Sequence, residues 1–378
     1  MRTLNPIGSF TLLSVACLTI MVGCVIVPGL PAIADAMGIS KGASWLVTIP
    51  SLGVVVFGPL VGGLVARVGA KRALIAGLAL YGLFGYGGAF LAGYFLVFLD
   101  RFLLGGATAV VMAGGTTLIS EFFDGELRLK MIAKQGMAIE LGGVIFLAIG
   151  GALATIGWRW PFLLYLMSWV FMAAVAYCIP NASPRLVAAP SATAGRISLG
   201  PMTDIFVAAT LSMIAFFAAV ILLPTKLGHL GMGEAGVGYF LSFVSLVAVA
   251  AAYFMPRVDK AIGPDRTLAL AFLLYGLGHF ILFATASIAP AVVAAISLGG
   301  GFGFSVPLVN HMTIERSSPS QRGALLGYLS SAIFLGQFLS ALIEMAPVSG
   351  SLPFLIAAVV SVVAILILWL VQNKRAAA

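Results

Sequence analysis

Three ionisable side chains stand inside long apolar stretches of this 378-residue chain and are the ones best placed to do chemistry. Asp100 and Arg101 interrupt YFLVFLDRFLLGG, and Glu140 interrupts MAIELGGVIF. A charge at bilayer depth costs about 2.5–3.5 kcal/mol on insertion scales, so its presence points to a task. The task open to these groups is proton exchange, because moving a carboxyl group between an apolar surrounding and a guanidinium loads and releases a proton. Arg101 lies about six residues into its segment from one side, and Glu140 about ten into the next from the other. At about 1.5 Å rise per residue their depths differ by roughly 6 Å, so Arg101 is expected to be a conditional partner of Glu140. Asp100 is expected to point about 100° away from Arg101, as a gate acid near the outer end. The plain alternative is a buried ion pair that only fixes helix packing.

The remaining polar candidates are fewer and weaker. Glu344 falls near the outer end of its segment, where it either serves a site or simply reaches the interface. Asn310 and Gln337 are neutral hydrogen-bonders suited to a substrate or to a neighbouring helix, and His279 reads as a helix-packing residue. His229, His279 and His311 have no carboxylate or cysteine at ligand spacing, so neither a metal site nor a cofactor is expected. No phosphate-binding loop is present. The run Gly299-Gly300-Gly301-Phe302-Gly303 sits inside an apolar segment with no strand before it, which suits close helix packing. An integral membrane enzyme would need a nucleophile, base or metal ligands gathered at one depth; none are, so the chain is not expected to be an enzyme.

The elements that carry these residues follow from composition. The chain is 61% hydrophobic and 8% charged, with a mean hydropathy of +1.14, more apolar surface than a soluble core of this size can absorb. Its net charge of +8 is scattered, not clustered, which argues against a nucleic-acid partner. Twelve segments reach the length of about 20 residues that a bilayer requires: near 9–31, 44–66, 71–93, 95–120, 130–156, 159–180, 203–225, 235–256, 266–286, 289–313, 321–345 and 352–372. The first is read as a permanent span and not as a signal peptide. Of the 20 Lys and Arg residues, Arg101 lies in a span and Lys41, Arg159 and Lys226 fall on the outer side. The other sixteen share the side of the N-terminus, which places both termini in the cytoplasm and the protein in the cytoplasmic (inner) membrane. Asn181 to Pro201 is the one long polar-leaning connector. It divides an N-terminal six-helix bundle (1–180) from a C-terminal one (201–378) through a linker at 181–200.

The two halves repeat each other at a constant offset of 194. Gly69, Arg72 and Leu74 correspond to Gly263, Arg266 and Leu268, and Gly105-Gly106 to Gly299-Gly300. Glu121 and Arg128 correspond to Glu315 and Arg322, and Ala138, Ile139, Leu141 and Gly142 to Ala332, Ile333, Leu335 and Gly336. Arg101 and Glu140 break the repeat, since their counterparts are Ala295 and Phe334. Two parallel repeats place a binding site at their interface near the bilayer midplane.

The stretch GPLVGGLVARVGAKR (58–72) resembles the signature loop between helices 2 and 3 of the major facilitator superfamily. Gly62, Leu64, Arg67, Gly69, Lys71 and Arg72 match, and Ala66 stands where the family usually has Asp. Arg101-Phe102-Leu103-Leu104-Gly105 resembles the R-x-x-Q-G motif of helix 4, with Leu104 in place of the amide. Glu121 with Arg128, and Glu315 with Arg322, have the spacing found after helices 4 and 10. Gly157-Trp158-Arg159-Trp160 is similar to the short outer connection of drug/proton antiporters, while Phe146 and Leu147 replace their helix-5 glycine–proline pair. The resemblance covers essentially the whole chain. It implies an all-α, twelve-helix secondary transporter working by alternating access. The basic loop and its acids, Gly62, Arg67, Gly69, Lys71, Arg72, Glu121, Arg128, Glu315 and Arg322, would form the cytoplasmic gate. Its expected partners are a small-molecule substrate, protons and the lipid bilayer, and it is expected to act as a monomer. Proton-coupled efflux of an amphipathic solute is the first expectation, and import of an organic anion or siderophore-like metabolite held by Arg101 is the alternative.

Overall fold

Apolar residues on nearly every face leave each long segment no stable form but a helix, because only a helix satisfies its own backbone in lipid. The computed structural model describes residues 4–39, 41–180, 199–318, 321–346 and 350–376. Twelve helices in it are long and apolar enough to cross a membrane, and no strand occurs among the described residues. The chain divides into two compact units, 1–191 and 192–378. Most of the expected linker, residues 181–198, lies outside the described residues.

In the N-terminal unit the helices are α1 (Pro6–Cys24), α2 (Leu30–Ala36), α3 (Trp45–Val68), α4 (Ala70–Gly87), α5 (Tyr94–Phe122), α6 (Gly125–Ala154) and α7 (Met167–Cys178). The first span is shorter than expected, because the chain turns after Cys24 and α2 follows as a separate piece. The sixth span opens with a 3-10 turn, Trp160–Leu166, before α7. α3 and α4 both pack on α5, and α1 packs on α6.

The C-terminal unit holds α8 (Thr203–His229), α9 (Glu234–Ile262), α10 (Pro264–Ala284), α11 (Ile288–Arg316), α12 (Arg322–Leu339), α13 (Ala341–Glu344) and α14 (Leu352–Ala376). The 194 offset carries into the helix ends. Val68, Ala70, Tyr94 and Phe122 bound their helices where Ile262, Pro264, Ile288 and Arg316 bound theirs. It carries into the backbone too: Gly69 and Gly263 both link their helices at positive φ, +91° and +84°, a conformation that strongly favours glycine.

The repeat also fixes where helices touch. A Cβ on Gly105 would collide with the Pro50 carbonyl, and one on Gly299 with the Val244 carbonyl, the equivalent place. Gly142 meets Cys17 of α1, and Gly336 meets Thr210 and Met213 of α8. Small residues let these backbones approach, and helix association in lipid rests on such packing. One difference separates the halves: α6 runs unbroken through Phe146, whereas the eleventh span is interrupted between α12 and α13 at the equivalent Ser340, whose Oγ donates to the Gln337 carbonyl at 2.6 Å.

Two of the three basic residues expected on the outer side tie helix ends. Lys226 Nζ donates to the Thr285 carbonyl at the end of α10 and to Ser351 Oγ, both at 2.8 Å. Arg159 Nε donates to the Ala89 carbonyl just past α4 at 3.3 Å, and its guanidinium lies 4.5 Å from the Trp158 ring centre. Trp169 Nε1 donates to the Ala79 carbonyl of α4 at 3.1 Å.

Candidate functional site

Arg101 lies two turns into α5 and is 0% exposed. Its Nε and Nη2 both donate to Asp100 Oδ2, at 3.1 and 2.8 Å. Nη2 also reaches the Phe84 and Gly85 carbonyls at the C-terminal end of α4, at 3.2 and 3.3 Å. A cation is favourable there because the helix dipole and the end carbonyls present negative charge. The guanidinium carbon lies 5.5 Å from the Phe162 ring centre and 5.6 Å from that of Tyr165. Gly88 makes the room, since any Cβ there would overlap Nη2. Nη1 is buried with no hydrogen-bond partner among the described residues.

This corrects two expectations. Asp100 does not point away from Arg101: the long arginine side chain folds back along its own helix and closes an ion pair between neighbours. Nor is Arg101 paired with Glu140: its ion pair is with Asp100, and Nη2 also bonds the end of α4.

Glu140 stands on α6, half-buried, with no ion pair or hydrogen bond among the described residues. Gly142 and Gly150 draw α6 onto α1, and Glu140 comes within electrostatic range of buried Cys24. Two tyrosines of the same unit anchor α1. Tyr81 donates to the Leu18 carbonyl at 2.7 Å, and Tyr165 to the Val22 carbonyl at 2.9 Å, one turn apart on α1. Their ring centres are 5.8 Å apart and both are fully buried. Each is within electrostatic range of Cys24 and of Arg101. The structure therefore joins Asp100, Arg101, Tyr165 and Tyr81 in one buried cluster. The tyrosines were not singled out from sequence; their signal was a phenol within an apolar span, too common to stand out.

The other expected site residues belong to the C-terminal unit. Asn310 Nδ2 donates to the Val306 carbonyl of its own helix at 2.9 Å. Gln337 is buried on α12, and Glu344 is half-buried on α13. His279 is fully buried, bonds the Ala215 carbonyl at 2.8 Å and lies against Phe354, as a packing residue would. Three C-terminal hydroxyls, Ser212, Tyr275 and Ser305, bond one another in a buried triangle. Tyr275 and Ser212 occupy the repeat positions of Tyr81 and Leu18.

Among the expected gate residues, Gly62, Arg67, Gly69, Arg72, Glu121 and Arg128 gather at one end of the N-terminal unit, Glu121 half-buried and the others exposed. Lys71 Nζ donates to the Ala176 carbonyl near the end of α7 at 2.9 Å. Glu121 has no ion pair among the described residues, and Glu315 pairs with His311 at 3.2 Å on its own helix. Arg322 Nε bonds Ser317 Oγ at 3.3 Å. An unforeseen ion pair lies nearby in sequence: Arg316 Nη1 to Asp204 Oδ2 at 2.7 Å, joining the start of α8 to the end of α11 with Asp204 4% exposed. Its signal was faint, because 112 residues separate the partners and the equivalent positions are Phe10 and Phe122.

The profile described as the Major Facilitator Superfamily matches residues 11–206 and again residues 205–378. The multidrug efflux protein YfmO of Bacillus subtilis is 26% identical over 335 residues, covering 85% of this chain and 81% of that one. The 4-hydroxybenzoate transporter PcaK of Pseudomonas aeruginosa is 29% identical over 164 residues, 42% of this chain and 36% of its own length. The chain is similar in structure to the nucleoside transporter NupG, with a TM-score of 0.78 at 15% identity, over 96% of this chain and 99% of that one. It is equally similar to a D-xylose-proton symporter, with a TM-score of 0.78 at 17% identity, over 97% and 98%. These two likenesses concern the fold.

Proposed function

This chain belongs to the Major Facilitator Superfamily, and from that premise we propose that it exports a small amphipathic organic solute in exchange for protons. It is a transporter and not an enzyme. The observation that carries proton exchange is Glu140: a half-buried acid in a span, with no ion pair among the described residues, at a position where the other half has Phe334. The likeness to a multidrug efflux protein over most of both chains supports export. In this reading the protein works as a monomer in the cytoplasmic membrane with both termini inside. The loop from Gly62 to Arg72, with Glu121, Arg128, Glu315 and Arg322, closes the cytoplasmic side as the units alternate, and Asn310, Gln337 and Glu344 serve the substrate path of the C-terminal unit. Import of an organic anion held by Arg101 is the weaker reading, since that guanidinium is fully buried and bound to Asp100.

Ethidium uptake into inverted membrane vesicles tests this directly. With an acid interior the wild type is expected to accumulate ethidium, and collapsing the pH gradient to stop it. Glu140→Gln keeps shape and hydrogen bonding but cannot titrate; it is expected to bind ethidium within about three-fold of wild type and to lose pH-driven uptake. Normal uptake by this variant would make Glu140 structural.

A further inference from the structure

We propose that Ser340 is a hinge within the C-terminal unit, on which α13, the last turn of the eleventh span, swings with Glu344 at the end expected to face outside. The proposal rests on the transport reading above and names an element that moves inside one unit during it.

The backbone around Ser340 has the form of an opened helix. In an unbroken helix the Gln337 carbonyl takes the amide of the residue four places on, Ala341. Here the Ser340 hydroxyl donates to that carbonyl at 2.6 Å. The Ile343 amide turns to the Ser340 carbonyl, three residues back, at 3.1 Å, and the Met345 amide resumes the four-residue spacing on Ala341 at 3.2 Å. A side chain inserted into the ladder and a 3-10 step are both places where helices bend. Ser340 and Ala341 are fully buried and small, so they add no bulk that would fix the angle between α12 and α13.

The repeat shows that the packing does not demand this break. As far as Gly336 the two halves are built alike. Thr210 Oγ1 of α8 donates to the Ala332 carbonyl at 3.2 Å, and Cys17 Sγ of α1 donates to the equivalent Ala138 carbonyl at 3.0 Å. Gly336 and Gly142 then press on those same partners, α8 and α1. Beyond them the halves part. α6 continues with Phe146 and Leu147 buried, and Gly150 lies so close to the Val25 carbonyl that a Cβ would collide with it. The equivalents of these three residues are Ser340, Ala341 and Glu344. A glutamate does not permit the backbone approach that glycine gives, so the far end of α6 is locked on α1 in a way that α13 is not locked on α8. Leu342 and Met345 of this end are exposed. The four residues of α13 span about 6 Å at about 1.5 Å per residue, so a swing at Ser340 carries Met345 through several ångströms.

The test uses the full-length protein in lipid nanodiscs. Spin labels at His229 and Met345, in a background lacking Cys17, Cys24 and Cys178, read the distance between the ends of α8 and α13. Two distances are expected, in proportions that change when ethidium is added. Labels at His229 and Ala286, on helix ends that Lys226 ties together, are expected to hold one distance throughout. Ser340→Ala removes the hydroxyl that competes for the Gln337 carbonyl. It is expected to leave a single His229–Met345 distance, to bind ethidium within about two-fold of wild type, and to slow ethidium transport about five-fold or more. Amide hydrogen exchange in the wild type is expected to be about ten-fold faster over residues 340–345 than over the equivalent 146–151, and Ser340→Ala to narrow that gap. A single unchanging His229–Met345 distance in the wild type, two distances persisting in Ser340→Ala, or equal exchange in the two segments overturns the proposal. If the wild type does not transport ethidium, the efflux reading fails, and the label distances and amide exchange without ethidium still decide whether the span bends at Ser340.

Discussion

Asp100 and Arg101 show what residue types alone leave open. Adjacent residues on a helix diverge by about 100°, which is why the pair was expected to part. The arginine side chain is long enough to fold back, and the carbonyl end of α4 gives it a reason to, but that end reaches Arg101 only in the folded unit. The presence of a charged node was legible; its partner was not. A consequence follows for stability. Arg101→Ala alone leaves a buried carboxylate unpaired and is expected to cost about 3–5 kcal/mol. Removing both charges in Asp100→Ala/Arg101→Ala is expected to cost clearly less. Thermal unfolding of the purified variants by loss of monodispersity gives the order, and a double variant less stable than the single one would contradict it.

Helices and their contacts were largely legible, because the signal was distributed over many positions. The 194 offset read from eleven identities reappears in four helix ends and in the close approaches at Gly105 and Gly299. Those approaches fix an expected outcome. Gly105→Val and Gly299→Val should each drive a side chain into a facing carbonyl and sharply reduce the yield of folded protein, whereas Gly63→Ala, with open space around it, should be tolerated. Equal yields for all three, measured by size exclusion, would mean the helices are not held this closely. Gly69→Val acts differently: at φ +91° a β-branched residue is strained, and transport is expected to slow while ethidium affinity stays within a few-fold. Short pieces escaped the reading. The turn after Cys24, the 3-10 entry to the sixth span and the interruption at Ser340 leave apolar composition unchanged, so hydropathy alone does not register them.

For the whole molecule, twelve spans with the basic residues on alternate connections lead to one expected topology, both termini in the cytoplasm. Cysteines placed at Arg72, Arg128 and Asp265, in a background lacking Cys17, Cys24 and Cys178, are expected to react with a membrane-impermeant reagent only from the cytoplasm. One at His229 should react only from outside; labelling of Arg72 and His229 positions from the same face would break the twelve-span arrangement. The work done by two of the three basic residues expected outside was not legible from sequence: Arg159 and Lys226 secure helix ends. The aromatic entry to the sixth span has a further consequence, for how the protein can be watched. Of five tryptophans, Trp45, Trp158, Trp160 and Trp169 belong to the N-terminal unit and Trp369 alone to the other. Three of the four bracket Tyr165. The intrinsic fluorescence of the unlabelled protein is thus chiefly a lamp inside one half, lit beside the buried charges, and changes confined to the C-terminal half will pass almost unseen by it.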